Sequence, residues 1–366
     1  MAEPQRWGVA EPLDAARTPL PWPKRLLLTG PVGLGDLVLL APLVQALHRA
    51  APGTRIEMLA RPAYAPLCTA LGADAFHPLG APDQPALDPR GFDTLLASTD
   101  IGPTVLGGIE ALQAVPVRIG PAFARWQPRP WNHLVHTTRL GLPRHEALRN
   151  LRLLRPFGVT PAQQADALRA WQPLRVRPVA LPADLPAQVV VLHPFSMGHA
   201  REWPLAHWVT LARTLAAAGT AVLFTGSAAE GERLAAGWPA AQRPAGVHDA
   251  TGRLDLPQLM HLLAGARALV ACSTGPLHLA AALGRPVIGL FAPHKGIGFD
   301  RWAALGEAAV NVQSQRVCPP WRRCQNGQCA CIAALAPERI ATALLGGAAQ
   351  ALAPWPRRAG LDPSSA

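Results

Sequence analysis

No uninterrupted apolar run in this 366-residue chain reaches the roughly 18 residues that a membrane-spanning helix needs. The first 23 residues, "MAEPQRWGVAEPLDAARTPLPWP", carry acidic residues and prolines where a signal peptide requires a basic start and an apolar stretch. They read as a disordered leader, residues 1–23, on a cytoplasmic protein, with a second tail at 353–366. Lysine is almost missing: Lys24 and Lys295 are the only two, so the net charge of +11 is carried by arginine. Arginine-biased composition accounts for that charge, and so does an acidic partner such as an anionic membrane surface. No nucleic-acid-binding motif accompanies the charge, and no nucleic acid is expected as a partner. The cysteines lack paired CxxC spacing. Cys318, Cys324, Cys329 and Cys331 follow C-x5-C-x4-C-x-C, which makes joint tetrahedral ligation awkward, so free thiols rather than a zinc site are expected.

What the chain does have is core: 49% hydrophobic and 16% charged residues, in a length that suits two domains. In the first half Leu26–Thr29 reads as a short buried strand, followed by a turn with Gly30, Gly33 and Gly35. A helix from about Asp36 to Arg49 comes next, and "TRIEMLA", "FDTLLAST" and "VPVRIG" read as further strands. The second half repeats the alternation, from "AQVVVLHPFS" through "LAHWVTLARTLAAAG", "TAVLFTGS", "PQLMHLLAGA" and "ALVAC" to "PVIGLF". Between the halves, "WQPLRVRPVALPADLPA" has repeated prolines and no periodicity, which marks a linker at 171–187. The expected fold is α/β, with two Rossmann-like domains, 24–170 and 188–352, facing each other across a cleft at the carboxyl ends of their sheets.

Two places face that cleft. The turn "CSTGPLH" joins a buried strand to an Ala/Leu helix, and a Ser/Thr-Gly-Pro helix start exposes backbone N–H groups and the positive end of the helix dipole. It reads either as an ordinary strand-to-helix turn or as an anion site. Asp36, after the first strand, reads either as a helix N-cap or as a carboxylate base.

The residues carry a resemblance. "LLLTGPVGLGDLVLLAPLVQAL", "HEALRNLRLLRPFGV", "VVVLHPFSMGHAREWPLAHWVTLARTL" and the stretch from Thr251 to Pro293 are similar, in order, to the lipopolysaccharide heptosyltransferase family, the ninth glycosyltransferase family. The resemblance covers most of residues 24 to 345 and implies the two-Rossmann GT-B fold. It implies an inverting, metal-independent glycosyltransferase with no cofactor. Such an enzyme moves heptose from ADP-L-glycero-D-manno-heptose (ADP-heptose) onto the inner core of lipopolysaccharide, either Kdo-lipid A or its heptosylated form. Its place would be the inner face of the cytoplasmic membrane, as a peripheral protein.

Residue by residue, Asp36 matches the family's general base. Arg201 matches the basic residue, two places before Trp203-Pro204, that faces the diphosphate and the sugar. Thr274 and Gly275 would meet the diphosphate at the helix start, with His278 one turn on and Ser196 as a further phosphate donor. Glu230 fits a carboxylate on the ribose hydroxyls, with Glu232 as the runner-up. On the acceptor side the reading takes Gly35 and a loop in which Arg118, Arg125 and Arg129 alternate with Trp126 and Trp131, arginines suiting acidic groups and indoles suiting sugar faces. The sequence departs from the family at Ser273, where an Asp is common and touches the donor sugar. Rival readings are a relative with another nucleotide-sugar donor or a protein acceptor, and a nucleotide-sugar-binding protein without turnover.

Overall fold

The computed structural model describes residues 18–30, 33–79, 87–98, 114–122, 131–137, 145–196, 198, 200–294, 298–316 and 329–346. In the first lobe β1 (Arg25–Thr29) leads through α1 (Leu34–Val38) and α2 (Ala41–Ala50) to β2 (Arg55–Ala60). Then follow α3 (Ala65–Leu71), β3 (Ala75–Pro78), β4 (Thr94–Ala97), β5 (Val117–Pro121), β6 (His133–Val135), α4 (Glu146–Arg152) and α5 (Pro161–Ala170). The second lobe opens with β7 (Val190–His193), α6 (Leu205–Ala217), β8 (Val222–Phe224), α7 (Ala228–Gly237) and β9 (Val247–Asp249). It continues with α8 (Leu256–Gly265), β10 (Ala268–Cys272), α9 (Gly275–Ala282), β11 (Val287–Phe291), α10 (Phe299–Trp302), β12 (Ala309–Gln313) and α11 (Pro337–Leu345).

Both sheets are parallel and six-stranded, ordered β3-β2-β1-β4-β5-β6 and β12-β11-β10-β7-β8-β9. Counted from its own first strand, each has the doubly wound order 3-2-1-4-5-6. The α/β class with two Rossmann-like domains is therefore correct. In each sheet the chain reverses direction between the first and fourth strands, β1 and β4 in one, β7 and β10 in the other. A crevice opens there at the carboxyl ends, which is where such sheets bind ligands.

Burial explains the strands. Leu26, Leu27 and Leu28 of β1 and all five residues of β10 are buried, the continuous apolar reading of a strand covered on both faces. Helix starts are set by side chains: Thr160 with Gln163, Ser227 with Glu230 and Asp255 with Gln258 each form a reciprocal capping box. Helix α6 ends at Gly219, which takes the left-handed φ of 76° that a side chain would resist.

One expected element is corrected. The helix read as continuous from Asp36 to Arg49 is two helices, broken at Leu39 and Leu40. Pro42 has no N–H to give to the carbonyl of Val38, so the ladder stops and restarts. The short strands β3, β6, β9 and β12 were not read from the sequence. Three of them have no buried residue, and β6 has one.

A single apolar cluster runs through both lobes. It joins Leu28, Leu40 and Leu43 of the first to Leu277, Leu279 and Ala280 of the second. Helix α9 is buried from Pro276 to Ala282 on all sides, because it is wedged between its own sheet and the first lobe.

Candidate active site

The two carboxyl-end crevices meet where α1 packs against α9. Gly35 lies so close to the second lobe that a Cβ there would sit 2.9 Å from His278 Cδ2 and 3.4 Å from Gly275 Cα. A Cβ on Gly275 would reciprocally sit 2.8 Å from Leu34 Cβ. Two side-chain-free positions thus let the first turns of α1 and α9 touch. Gly35, expected on the acceptor side, is placed at this seam.

Asp36 is the next residue. It is not the N-cap: Gly33 takes that position, with φ −99° and ψ 144°, and Asp36 lies in the first turn. Its carboxylate folds back over Gly33, where a Cβ would collide with Oδ2. The Asp36 charge reaches two neighbours. Burial lowers the basicity of Arg149, and Glu146 and Asp36 are among the groups that oppose this. Burial raises the Tyr64 hydroxyl, Arg61 opposing and Asp36 adding.

Across the seam, Thr274 is the N-cap of α9 with extended backbone (φ −129°, ψ 165°), yet its hydroxyl caps nothing. Its Oγ1 is buried without a hydrogen-bond partner. Ser273 and Gly275 beside it are half-buried. His278, 4% exposed, tilts against Trp302 at 6.3 Å and has an unpartnered Nδ1. Burial, with His145 adding, pushes its imidazole down to about 3, so it is neutral at physiological pH.

The other wall of the second crevice is the turn after β7. Arg201 is half-buried, and its Nε is buried with no acceptor. A buried cationic donor left unpaired costs stability, and an anion in the crevice would remove that cost. Ser196 is corrected from phosphate donor to loop brace. Its N–H donates to Glu202 Oε1 at 2.8 Å, and its hydroxyl donates to the same oxygen and to Ala200 O. Glu202 in turn takes Arg233 Nη2 at 2.7 Å, and Arg233 lies 4.3 Å over the Phe195 ring. Burial pushes the Glu202 carboxyl up, but the Arg233 and Ser196 hydrogen bonds outweigh it and hold it below the usual range. Sequence reasoning missed this Glu202–Arg233 brace; a Glu next to Arg201 and an Arg 31 residues away give no local signal.

Glu230 is buried in the capping box of α7, its Oε2 accepting from Ser227 N at 2.7 Å. Oε1 is the oxygen not used by the cap. Glu232 is exposed. Arg118 does not join the site: it is the second residue of β5, away from the carboxyl end, and its Nη1 donates to Val115 O at 2.6 Å. Trp131 is also corrected. It is 7% exposed with its ring packed over Gly120, so no sugar can stack there. Arg125, Trp126 and Arg129 lie outside the described residues, as do Cys318 and Cys324. Among the described residues no group of three or more His, Cys, Asp or Glu is placed to hold a metal ion. Among the same residues no helix is long and apolar enough to cross a membrane.

Two parallel Rossmann-like lobes meeting carboxyl end to carboxyl end, with an anion-seeking wall opposite a carboxylate, define the architecture of a GT-B glycosyltransferase. The profile of glycosyltransferase family 9 (heptosyltransferase) matches residues 127–330, and the chain belongs to that family. It is 37% identical over 163 residues to lipopolysaccharide heptosyltransferase 1 of Pseudomonas aeruginosa, covering 39% of this chain and 43% of that one. It is 34% identical over 146 residues to lipooligosaccharide heptosyltransferase 2 of Haemophilus influenzae, covering 38% and 40%. The matched stretch thus spans less than half of either relative. In fold it is similar to the E. coli ADP-heptose lipopolysaccharide heptosyltransferase II, with a TM-score of 0.66 at 20% identity over 89% of this chain and 99% of that one.

Proposed function

We propose that the protein is an inverting glycosyltransferase that moves heptose from ADP-heptose to the inner core of lipopolysaccharide, working at the inner face of the cytoplasmic membrane. The observation that carries the reading is the seam between α1 and α9. It sets Asp36 of one lobe one residue from a contact with the helix start of the other. Membership of family 9 and the donor named for the E. coli neighbour support the same reading.

In this mechanism Asp36 takes the proton from the acceptor hydroxyl as that oxygen attacks the anomeric carbon. The bond to the diphosphate breaks on the opposite face, and the departing ADP carries the charge away. Arg201 and the start of α9 at Thr274 and Gly275 bind that charge as it develops. Glu230 Oε1 accepts from a ribose hydroxyl, and neutral His278 lines the wall behind the diphosphate. We further propose the division into residues 24–170 for the acceptor, 171–187 as linker and 188–352 for the nucleotide sugar.

Ser273 favours one second reading, a different sugar on the nucleotide, since the family's common carboxylate is missing there. The test is a transfer assay with ADP-heptose and heptose-deficient lipopolysaccharide, run beside a panel of nucleotide sugars. Transfer from ADP-heptose, with the anomeric configuration inverted in the product, is the expected result. Transfer only from another donor would replace heptose, and binding without transfer from any donor would sink the enzymatic reading.

A further inference from the structure

The start of α4 reaches across the cleft with two side chains. His145 Nε2 lies 2.9 Å from Ala303 O of the second lobe. Glu146, 3% exposed, takes Arg149 Nη1 of its own helix at 2.5 Å and Arg301 Nε of the second lobe at 2.8 Å, both on Oε2. Arg301 is about one-third exposed and lies 4.7 Å over Trp302, the ring that tilts against His278 in α9. The chain of contacts therefore runs from Glu146 to the helix start that faces Asp36.

We propose that Glu146 is a positioning residue for the transfer reaction: by holding Arg149 and Arg301 on one carboxylate oxygen, it locks the register in which Asp36 faces the start of α9.

The seam does not hold this register by packing alone. A small void of about 10 Å³, room for no more than one water, lies between Val38, Leu39 and Pro42 of the first lobe and His278, Ala282 and Leu305 of the second. The void forfeits some close contacts, and directional polar ties add to the shared apolar cluster in setting the fit. The charge arrangement also suits a latch that opens. A buried carboxylate is costly unless paired, and Glu146 keeps Arg149 when the lobes part. Arg301 is partly exposed and returns to water. The first lobe is thus left with a paired carboxylate in either state, and closing adds only the arm from Arg301. That is the condition for a closure that substrate binding can bias.

The inference rests on the proposed transfer reaction, and its test separates the two. Glu146→Gln takes the Glu146 charge away from the buried Arg149 and is a poor first variant, since it can fail to fold. Arg301→Met removes only the cross-lobe arm at a partly exposed position. It should lower kcat about tenfold, a fraction of what a misplaced reacting group costs. ADP affinity in a calorimeter should stay within about twofold, because Arg301 does not touch the diphosphate wall. Arg301→Lys, which keeps the charge, should recover most of the lost turnover, which a merely packing role would not do. Small-angle scattering in the presence of ADP should show a larger radius of gyration for Arg301→Met than for the unaltered protein. Unchanged kcat together with an unchanged scattering profile would overturn the proposal. The scattering comparison needs no turnover. A protein that transfers no sugar would sink the proposed reaction, and the latch would then stand or fall on the scattering.

Discussion

In the proposed reaction Asp36, Arg201 and Ser273 divide the chemistry between them, and each can be tested by one substitution. Asp36→Asn keeps the shape of the first turn of α1 and removes the proposed base. Turnover should fall roughly 10²–10⁴-fold with ADP affinity little changed, read from initial rates and a binding titration. Near-normal turnover would take Asp36 out of the mechanism. Arg201→Ala removes a donor whose Nε has no acceptor inside the protein, so any anion it meets comes from outside. Binding of ADP should weaken by about 1.5–3 kcal/mol, roughly ten- to a hundredfold, in a calorimeter. Ser273 offers a short neutral hydroxyl where a carboxylate could accept from two sugar hydroxyls. Unaltered protein should hold ADP nearly as well as ADP-heptose, and Ser273→Asp should tighten ADP-heptose alone. An unaltered protein that already prefers ADP-heptose a hundredfold would show another residue doing that work.

At the scale of elements, the contact between α1 and α9 depends on two glycines more than on any side chain. Gly35→Ala puts a methyl group 2.9 Å from His278 Cδ2 and 3.4 Å from the backbone of Gly275, so the two helix starts must separate. A displacement of this size at a reacting group costs up to about 10²-fold in rate. The expected outcome is a fall in kcat of that order, with ADP affinity kept because the diphosphate wall lies wholly in the second lobe. A variant with normal kcat would show that the seam tolerates opening. The same scale shows where sequence reading works. The Pro42 break in the first helix was legible, since proline cannot donate into the ladder, and the periodicity of apolar residues on either side concealed it. The capping boxes at Thr160, Ser227 and Asp255 are local, because cap and partner are three residues apart. Glu230 is legible as an acid after a strand, yet its sequence neighbourhood serves a ligand and a cap equally well.

For the whole molecule, the lobe interface makes a pH prediction. His278 is held down to about 3, and burial lowers His145 and His193 as well. In the unfolded chain these rings take up protons near their ordinary value of about 6.5. The unfolded state therefore binds more protons as pH falls below that value. The contribution of His278 to stability is complete above about pH 6.5 and declines as pH drops toward 3, by about 1.4 kcal/mol per pH unit, and His145 and His193 add to the loss in the same direction. His278→Gln should flatten the decline of the urea midpoint between about pH 6.5 and 4.5 by one histidine's share. A variant with the same slope as the unaltered protein would show that His278 is accessible to protons in the native state.

The sequence by itself determined the two parallel sheets, because strands covered on both faces must be apolar throughout and their crossovers must be helices with local start and stop signals. It also determined which carboxylate and which helix start face the cleft, since position after a strand's carboxyl end is a property of chain order. Tertiary structure decided the rest. Ser196 and Arg118 carry polar groups that any sequence reading offers to a ligand, but Glu202 and the Val115 carbonyl take them first. Trp131 suits a sugar face until Gly120 is found beneath its ring. Glu146 lies in a stretch quoted only for its family likeness, and its place between Arg149 and Arg301 joins residues 155 positions apart. A hydrogen bond depends on angstroms in space, and nothing in residue type or local period reports which distant partner arrives.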